Sequence, residues 1–270
     1  MGRGMSSAPQ PPVRSQYPSD LTDAQWQLVE PFVRGNPVGP QPLAYSRREV
    51  VNALLYVSRT GVQWRYLPHD FPDWQSVYSY FRQWKKDGTL QLIHDVLRGK
   101  VRKQAGRSAQ PTAGVLDSQS VKSDVQAESR GYDANKKVKG RKRHLLVDML
   151  GLVLVALVST ADVQDRDAAA GVLPLAAEQF PTLVKVFADA AYEGPRVERL
   201  SQETGVPVEI VKRSDTTPGF VVQAKRWLVE RTFGWLSRER RLARDYERKE
   251  ESCEAFIHLG MIRLMLRRLA

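Results

Sequence analysis

A single cysteine, Cys253, stands in 270 residues. It leaves no partner for an intramolecular disulfide and no Cys-rich zinc site, which fits a reducing compartment such as the cytoplasm and its nucleoid. Long hydrophobic runs are missing too. The longest, residues 145–158, is interrupted by Asp148 and Gly151 and reads as two strands with a tight turn, not as a membrane span. Residues 1–16, MGRGMSSAPQPPVRSQ, carry no apolar segment of the signal-peptide kind; their Gly, Ser and Pro content predicts a flexible leader. No internal repeat is visible.

Acidic residues are scarce relative to basic ones. Forty-one Lys plus Arg against thirty Asp plus Glu leave a formal charge of +11, a balance that favours a polyanionic partner. Hydrophobic residues make up 42% of the chain, enough for an ordinary globular core.

Residues 17–102 have a helical pattern rich in aromatics and no strand-like alternation. Thr22 with Gln25 three residues on is a capping box ahead of the apolar face of Leu21, Trp26, Leu28, Val29 and Phe32. Helices are predicted over 46–59, 75–84 and 90–102, carrying Arg47, Arg48, Arg59, Arg65, Arg82, Lys85 and Lys86. Short basic helices of this kind suit a helix-turn-helix-like DNA-binding domain. Residues 103–112 lack periodicity and hold several turn formers, so the domain boundary is placed there.

Beyond it the pattern changes to strand (113–117), strand (143–149), strand (152–159), helix, strand (183–189), helix, strand (206–213) and two long helices, 221–242 and 251–268. Cys253 is expected half-buried on the last of these. Three strands of meander followed by alternating helix and strand is the element order of an α/β ribonuclease H-like fold, a mixed five-stranded sheet flanked by helices, here over 113–270.

The strands ending in Asp117 and Asp189 would be neighbours in such a sheet, and functional groups collect at strand ends. Two close carboxylates repel, so a pair persists where a cation or proton neutralises it. Magnesium does this with oxygen ligands while water and substrate phosphates complete its shell, and two ions roughly 4 Å apart support phosphodiester cleavage. For a third acid, Glu230 on the following helix competes with Glu193, Glu209 and Asp215. Asp148, Asp162, Asp165 and Asp167 read as turn and cap residues, and Trp227 and Trp235 as core.

Taken together, LDSQSVKS around Asp117, GYDANKKVKGRKRHLLVD, ADVQDRD, ADAAYEG and RWLVERTFGWLSRERRLARDYE resemble the DDE transposases of bacterial insertion sequences, of the insertion-sequence-five family. YPSDLTDAQWQLVEPFV and RTGVQWRYLPHDFPDWQSVYSYFRQW resemble that family's helical leader domain. The resemblance runs from Tyr17 through nearly the whole chain. It implies that Asp117, Asp189 and Glu230 are the metal-binding catalytic acids, with Mg2+ as cofactor and Mn2+ able to substitute. In the signature these transposases carry around the glutamate, Arg226 and Glu230 match, whereas Gln223 stands in place of a Tyr and Ser237 in place of a Lys; Arg238 is the candidate substitute phosphate contact.

Six of the eight residues from Lys136 to Arg143 are basic. Lys136, Lys137, Lys139, Arg141, Lys142 and Arg143, with His144 behind them, are expected to hold DNA across the site with steep salt dependence. Arg226, Arg231 and Arg238 form a second candidate surface, and Arg47, Arg48 and Arg65 a third. The sequence thus reads as a transposase that binds the terminal inverted repeats in double-stranded DNA, cleaves the ends and transfers the strand, as a homodimer or larger assembly away from membranes. The alternatives are a nuclease of the same fold without strand transfer, or a domesticated DNA-binding protein with dead chemistry. A restriction-type core is disfavoured because EIVK, 209–212, holds one residue too many between Glu and Lys.

Overall fold

The computed structural model describes residues 14–33, 45–211 and 225–270. Lys212, Asp215 and Gln223, and most of the leader, lie outside the described residues.

Four helices come first: α1 (Asp23–Val29), α2 (Arg47–Thr60), α3 (Trp74–Lys86) and α4 (Thr89–Gln104). The Thr22–Gln25 capping box forms as expected, Ser46 and Asp73 cap α2 and α3 through their side chains, and Gly61 ends α2 with φ +71, a left-handed turn that glycine adopts without strain. Then follow β1 (Ala113–Lys122), β2 (Gly131–Asp133), β3 (Val138–Asp148), β4 (Val153–Thr160), α5 (Asp165–Gln179), β5 (Lys185–Ala188), α6 (Pro195–Thr204), β6 (Val208–Ile210), α7 (Arg226–Ser237), α8 (Arg240–Ala243) and α9 (Glu250–Leu269).

The sheet runs β2-β3-β1-β5-β6, with β4 also on β3. β1 pairs antiparallel with β3 and parallel with β5, and β5 pairs parallel with β6. This is the mixed sheet of the ribonuclease H-like fold, with one strand more than expected: β2 pairs with the first residues of β3, and β4 takes over that edge from Arg141 onward. Two further expectations need correction. The single helix predicted to reach residue 242 breaks at Arg238 and Glu239 into α7 and α8, and Cys253 is fully buried, its thiol pushed up to about 12 by desolvation.

Alternation along the strands builds two cores. Val115, Leu145, Val147 and Phe187 pack with the helical region and with α7, α8 and α9. Their neighbours Leu116, Leu146, Val186 and Ala188 pack with α5 and α6 on the other face. The first core is continuous from the helical region into α9: Phe81 lies 4.9 Å and Trp64 6.1 Å, between ring centroids, from Phe256. In the segment between α4 and β1, the Arg102 guanidinium binds the carbonyls of Ser108 (2.8 Å) and Gln110 (3.3 Å) and the buried carboxylate of Asp148. Among the described residues no helix is long and apolar enough to cross a membrane.

Candidate active site

β1 does not stop at Asp117 but continues to Lys122 along β3. The parallel pairing with β5 is what ends there. Its last register pair is Leu116 with Ala188, so Asp117 and Asp189 are the next residues on the two strands. Val115 and Phe187, two residues earlier, share one core, and Asp189 keeps extended backbone (φ −85, ψ 178). Alternation therefore puts both carboxylates on the face that carries α7. Asp117 accepts from the Ser118 amide at 2.7 Å, and Asp189 caps the short 3-10 turn after β5 by accepting from the Ala191 amide at 3.0 Å.

Glu230 comes to the cleft beside Asp117 from α7. Leu228, Val229, Phe233 and Leu236 are buried, which rolls the helix so that Glu230, Phe233, Gly234 and Ser237 face β1. Together with Asp117, Ser118, Gln119, Ser120 and Lys136 they line a cleft of about 370 Å³. Among the described residues no group of three or more His, Cys, Asp or Glu side chains converges closely enough to hold a metal ion. The donor set nonetheless suits magnesium, which takes oxygen ligands and needs only one or two carboxylates when water and phosphate supply the rest. Of the competing acids, Glu209 is engaged with Lys185 at 2.8 Å on the exposed side of β6, which holds its carboxyl below the usual range, and Glu193 ends the 3-10 turn after Asp189.

A buried polar network backs the cleft. Asp165, expected as a simple helix cap, accepts from Ser118 Oγ at 2.8 Å and pairs with Lys142 Nζ at 3.1 Å. Lys142 also donates to the Val163 carbonyl at 2.7 Å and lies 3.7 Å from Asp133, which accepts from Ser120 Oγ at 2.5 Å. Tyr192 is buried, and its phenol is raised well above the ordinary value by burial and by the charges of Asp165, Asp117 and Asp189. Sequence reasoning missed Asp133, Lys142 and Tyr192 as neighbours of the acids; the only signal was their presence inside the motif segments.

The basic run divides. Lys136, Lys137 and Lys139 are exposed, and Lys136 donates to the Ser118 carbonyl at 3.3 Å. From Gly140 the run is the buried half of a strand, so Arg141, Lys142, Arg143 and His144 are corrected from DNA contacts to internal residues. Arg141, 0% exposed, bonds Asp245 (3.1 Å) and the carbonyls of Ser129, Glu247 and Arg248. Arg143 donates to the Leu242 carbonyl at 2.7 Å, and His144 Nε2 meets Ser159 Oγ at 3.0 Å. Burial holds His144 down to about 4.

The other candidates are equally mixed. Arg231 donates to the Leu150 carbonyl (3.0 Å) and stacks between Trp227 (4.3 Å) and Trp235 (4.5 Å), so Trp227, 41% exposed, is not the core residue expected. Arg238 is exposed, and Arg226 is the first residue of α7, with its side chain outside the described residues. Arg47 is buried over the Tyr80 ring, which removes it from the DNA-facing set; Arg48 is half-buried, with Asp23 at 2.6 Å and the Leu21 carbonyl at 2.7 Å, and Arg65 is exposed beside Trp74.

Residues 108–266 match the family described as "Transposase DDE domain", and residues 21–94 one described as "Putative transposase of IS4/5 family". The chain is 33% identical over 128 residues to "Putative transposase for insertion sequence element IS402" of Burkholderia cepacia, covering 45% of this chain and 60% of that protein. It is 32% identical over 77 residues to "Uncharacterized protein y4sN" of Sinorhizobium fredii, covering 28% and 62%. It thus spans about three fifths of these relatives' own length. A match across more than half the chain, on a ribonuclease H-like sheet whose parallel strands β1 and β5 lead into Asp117 and Asp189, places this protein in the DDE transposase family of insertion sequences.

Proposed function

We propose that this chain binds the terminal inverted repeats of its element in double-stranded DNA, cleaves phosphodiester bonds at the ends and transfers the freed strand, with Asp117, Asp189 and Glu230 as the catalytic acids. The observation that supports this is the register of β1 and β5, which leads into Asp117 and Asp189 on neighbouring strands, with Glu230 of α7 lining a cleft with Asp117.

Asp117 and Asp189 would hold magnesium or manganese, with Glu230 joining when DNA closes the cleft. Bound there, the ions supply charge neutralisation and a water of lowered pKa. For the reaction itself, water oxygen attacks phosphorus in line, the bond from phosphorus to the 3′ oxygen breaks, and that oxygen leaves as the 3′-hydroxyl. In the second step the hydroxyl attacks a target phosphodiester, displacing its 3′ oxygen. Neither displacement needs a covalent enzyme nucleophile.

Lys136, at the rim of the cleft, and the exposed Lys137 and Lys139 are suited to phosphate. Joining two ends in one event requires a homodimer or larger assembly on DNA, and residues 17–102 are the proposed end-binding unit ahead of the 113–270 catalytic domain. The test is cleavage of a labelled duplex carrying the element's own end, with magnesium, by the wild type and by Asp189→Ala. Cleavage by the wild type alone with equal binding by both supports the reading. Equal binding without cleavage by either, in magnesium and manganese, would move the reading to a DNA-binding protein. A strand-transfer assay with pre-cut ends separates a transposase from a nuclease.

A further inference from the structure

Away from the carboxylates, a groove of about 580 Å³ runs between α3 and the segment leading into α9. Its two walls come from opposite ends of the chain. α3 turns Val77, Phe81 and Trp84 inward, which leaves Tyr78 and Arg82 one position on, and Lys86, facing out. Across the groove stand Tyr246, Arg248 and Lys249. Tyr78 and Tyr246 are 36% and 42% exposed, and both line this one groove. Each is braced from behind: Tyr78 lies 5.1 Å from the Trp64 ring, edge to face, and Tyr246 carries Arg241 and Arg244 at 5.9 and 5.8 Å. The wall is fixed to the catalytic sheet, because the Glu128 amide donates to the Arg248 carbonyl at 2.9 Å and Ser123 bridges to Asp245.

We infer that this groove, in which Glu128 pairs with Arg248 (3.3 Å) and Glu251 with Lys85 (3.7 Å), holds a short stretch of unpaired DNA, its phosphates on Arg82, Lys86 and Lys249 and a base against Tyr78 or Tyr246. The inference rests on the reading of the chain as a DNA-binding transposase and adds a site to it. Cations alone would suit the outside of a duplex equally well. Partly exposed rings inside a concave groove with more cations than acids suit bases that are not already stacked on a partner, since stacking on aromatic side chains is sequence-tolerant and available only to unpaired bases. The ordered route from the groove to the strand carrying Asp117 means that a strand held here is held relative to the acids.

The test measures binding of a short labelled thymidine strand, and of the corresponding duplex, by fluorescence anisotropy across a salt series. Proteins compared are the wild type, Tyr246→Ala, Tyr246→Phe, and the double variant Arg82→Ala with Lys86→Ala, each checked by its thermal melt. Expected are roughly ten-fold weaker single-strand binding in Tyr246→Ala, rescue in Tyr246→Phe, and little change on duplex. The double variant should lower the salt slope for the single strand by about 1.4, two contacts at about 0.7 each. Equal losses on both DNAs would overturn the inference in favour of a duplex surface. Unchanged single-strand binding in every variant, while the wild type still binds DNA, would overturn it and leave the transposase reading standing. Failure of the wild type to bind either DNA would count against both.

Discussion

Leu116 of β1 and Ala188 of β5 are the last register partners of the one parallel pair that joins the two carboxylate-bearing strands. One residue further, β5 turns away into its 3-10 turn while β1 continues along β3 for five residues, to Lys122. The opening left by that divergence is where Asp117 and Asp189 stand.

If the opening is a metal site, magnesium binds the folded state and not the unfolded chain. At a hundred times its dissociation constant the ion stabilises by about 2.7 kcal/mol, a shift of roughly 5 °C or more for a chain of this size. A thermal melt with and without magnesium should show the shift in the wild type and lose it in Asp117→Asn. A shift of equal size in both proteins would place the ion elsewhere.

Lys142 is 8% exposed at the side chain and sits between Asp165 and Asp133. Lys142→Met leaves the buried Asp133 and the half-buried Asp165 without their cation, and breaking a buried pair from one side costs about 3–5 kcal/mol. Urea unfolding should report that loss, and Asp165→Asn in the Lys142→Met background should recover part of it. Loss of cleavage in a Lys142 variant is therefore expected to follow stability, not DNA affinity.

The division of the basic run is testable in one experiment. Arg141→Ala removes donors from Asp245 and three carbonyls inside the protein and should destabilise by about 3 kcal/mol or more. Lys139→Ala, at an exposed site, should stay within about 0.5 kcal/mol of wild type in stability while weakening DNA binding in a salt-dependent way. Reversed effects would contradict the strand placement.

Three histidines, His94 and His144 buried and His258 half-buried, set a pH dependence. His258 is held down to about 3 by burial, with His94, Asp95 and Arg98 facing it, and His144 to about 4, with Asp165 and Lys142 nearby. His94 is lowered by burial in the same way. Each is neutral when folded and takes up a proton on unfolding below its unfolded value of 6.5, so the stability is present above that pH and is lost as pH falls toward the folded values. Each contributes a slope of up to about 1.4 kcal/mol per pH unit. Asp95, lowered to about 2, extends the loss below pH 3.8. Urea unfolding between pH 7 and 5 should show the decline, shallower in His258→Gln; a flat profile would mean that the histidines are hydrated.

A glycine in the same strand provides a control. A Cβ at Gly140 would lie 2.0 Å from the Val121 carbonyl oxygen of the paired β1, and backbone cannot yield as a side chain can. Gly140→Ala should destabilise by more than the exposed Lys139→Ala next to it, read from the same urea curves.

Much of the architecture was legible in the sequence because it rests on local rules. The Thr22–Gln25 capping box, the change from helical to alternating pattern near residue 113 and the strand that leads into Asp189 depend on side-chain periodicity and on caps within a few residues; β1 runs past its expected end at Asp117 to Lys122 because β3 pairs it that far. The limits have physical causes too. Composition made residues 136–143 look like a DNA-contact run, since a sequence does not reveal carboxylates and carbonyls supplied from a hundred residues away; Asp245 and the 242–248 carbonyls turned its second half into sheet interior. Arg47 and Arg231 look like DNA contacts until their aromatic neighbours Tyr80, Trp227 and Trp235 are seen to hold them.

The sequence by itself determined the element order and the excess of positive charge, because these follow from covalent order and short-range pattern. Only the tertiary structure decided which cations remain at the surface, that Asp165, Lys142 and Tyr192 stand behind the acids, and that α3 and residues 246–249 form one groove. Those relations join residues far apart in the chain, and burial and charge pairing between them depend on the whole packed sheet rather than on any local signal.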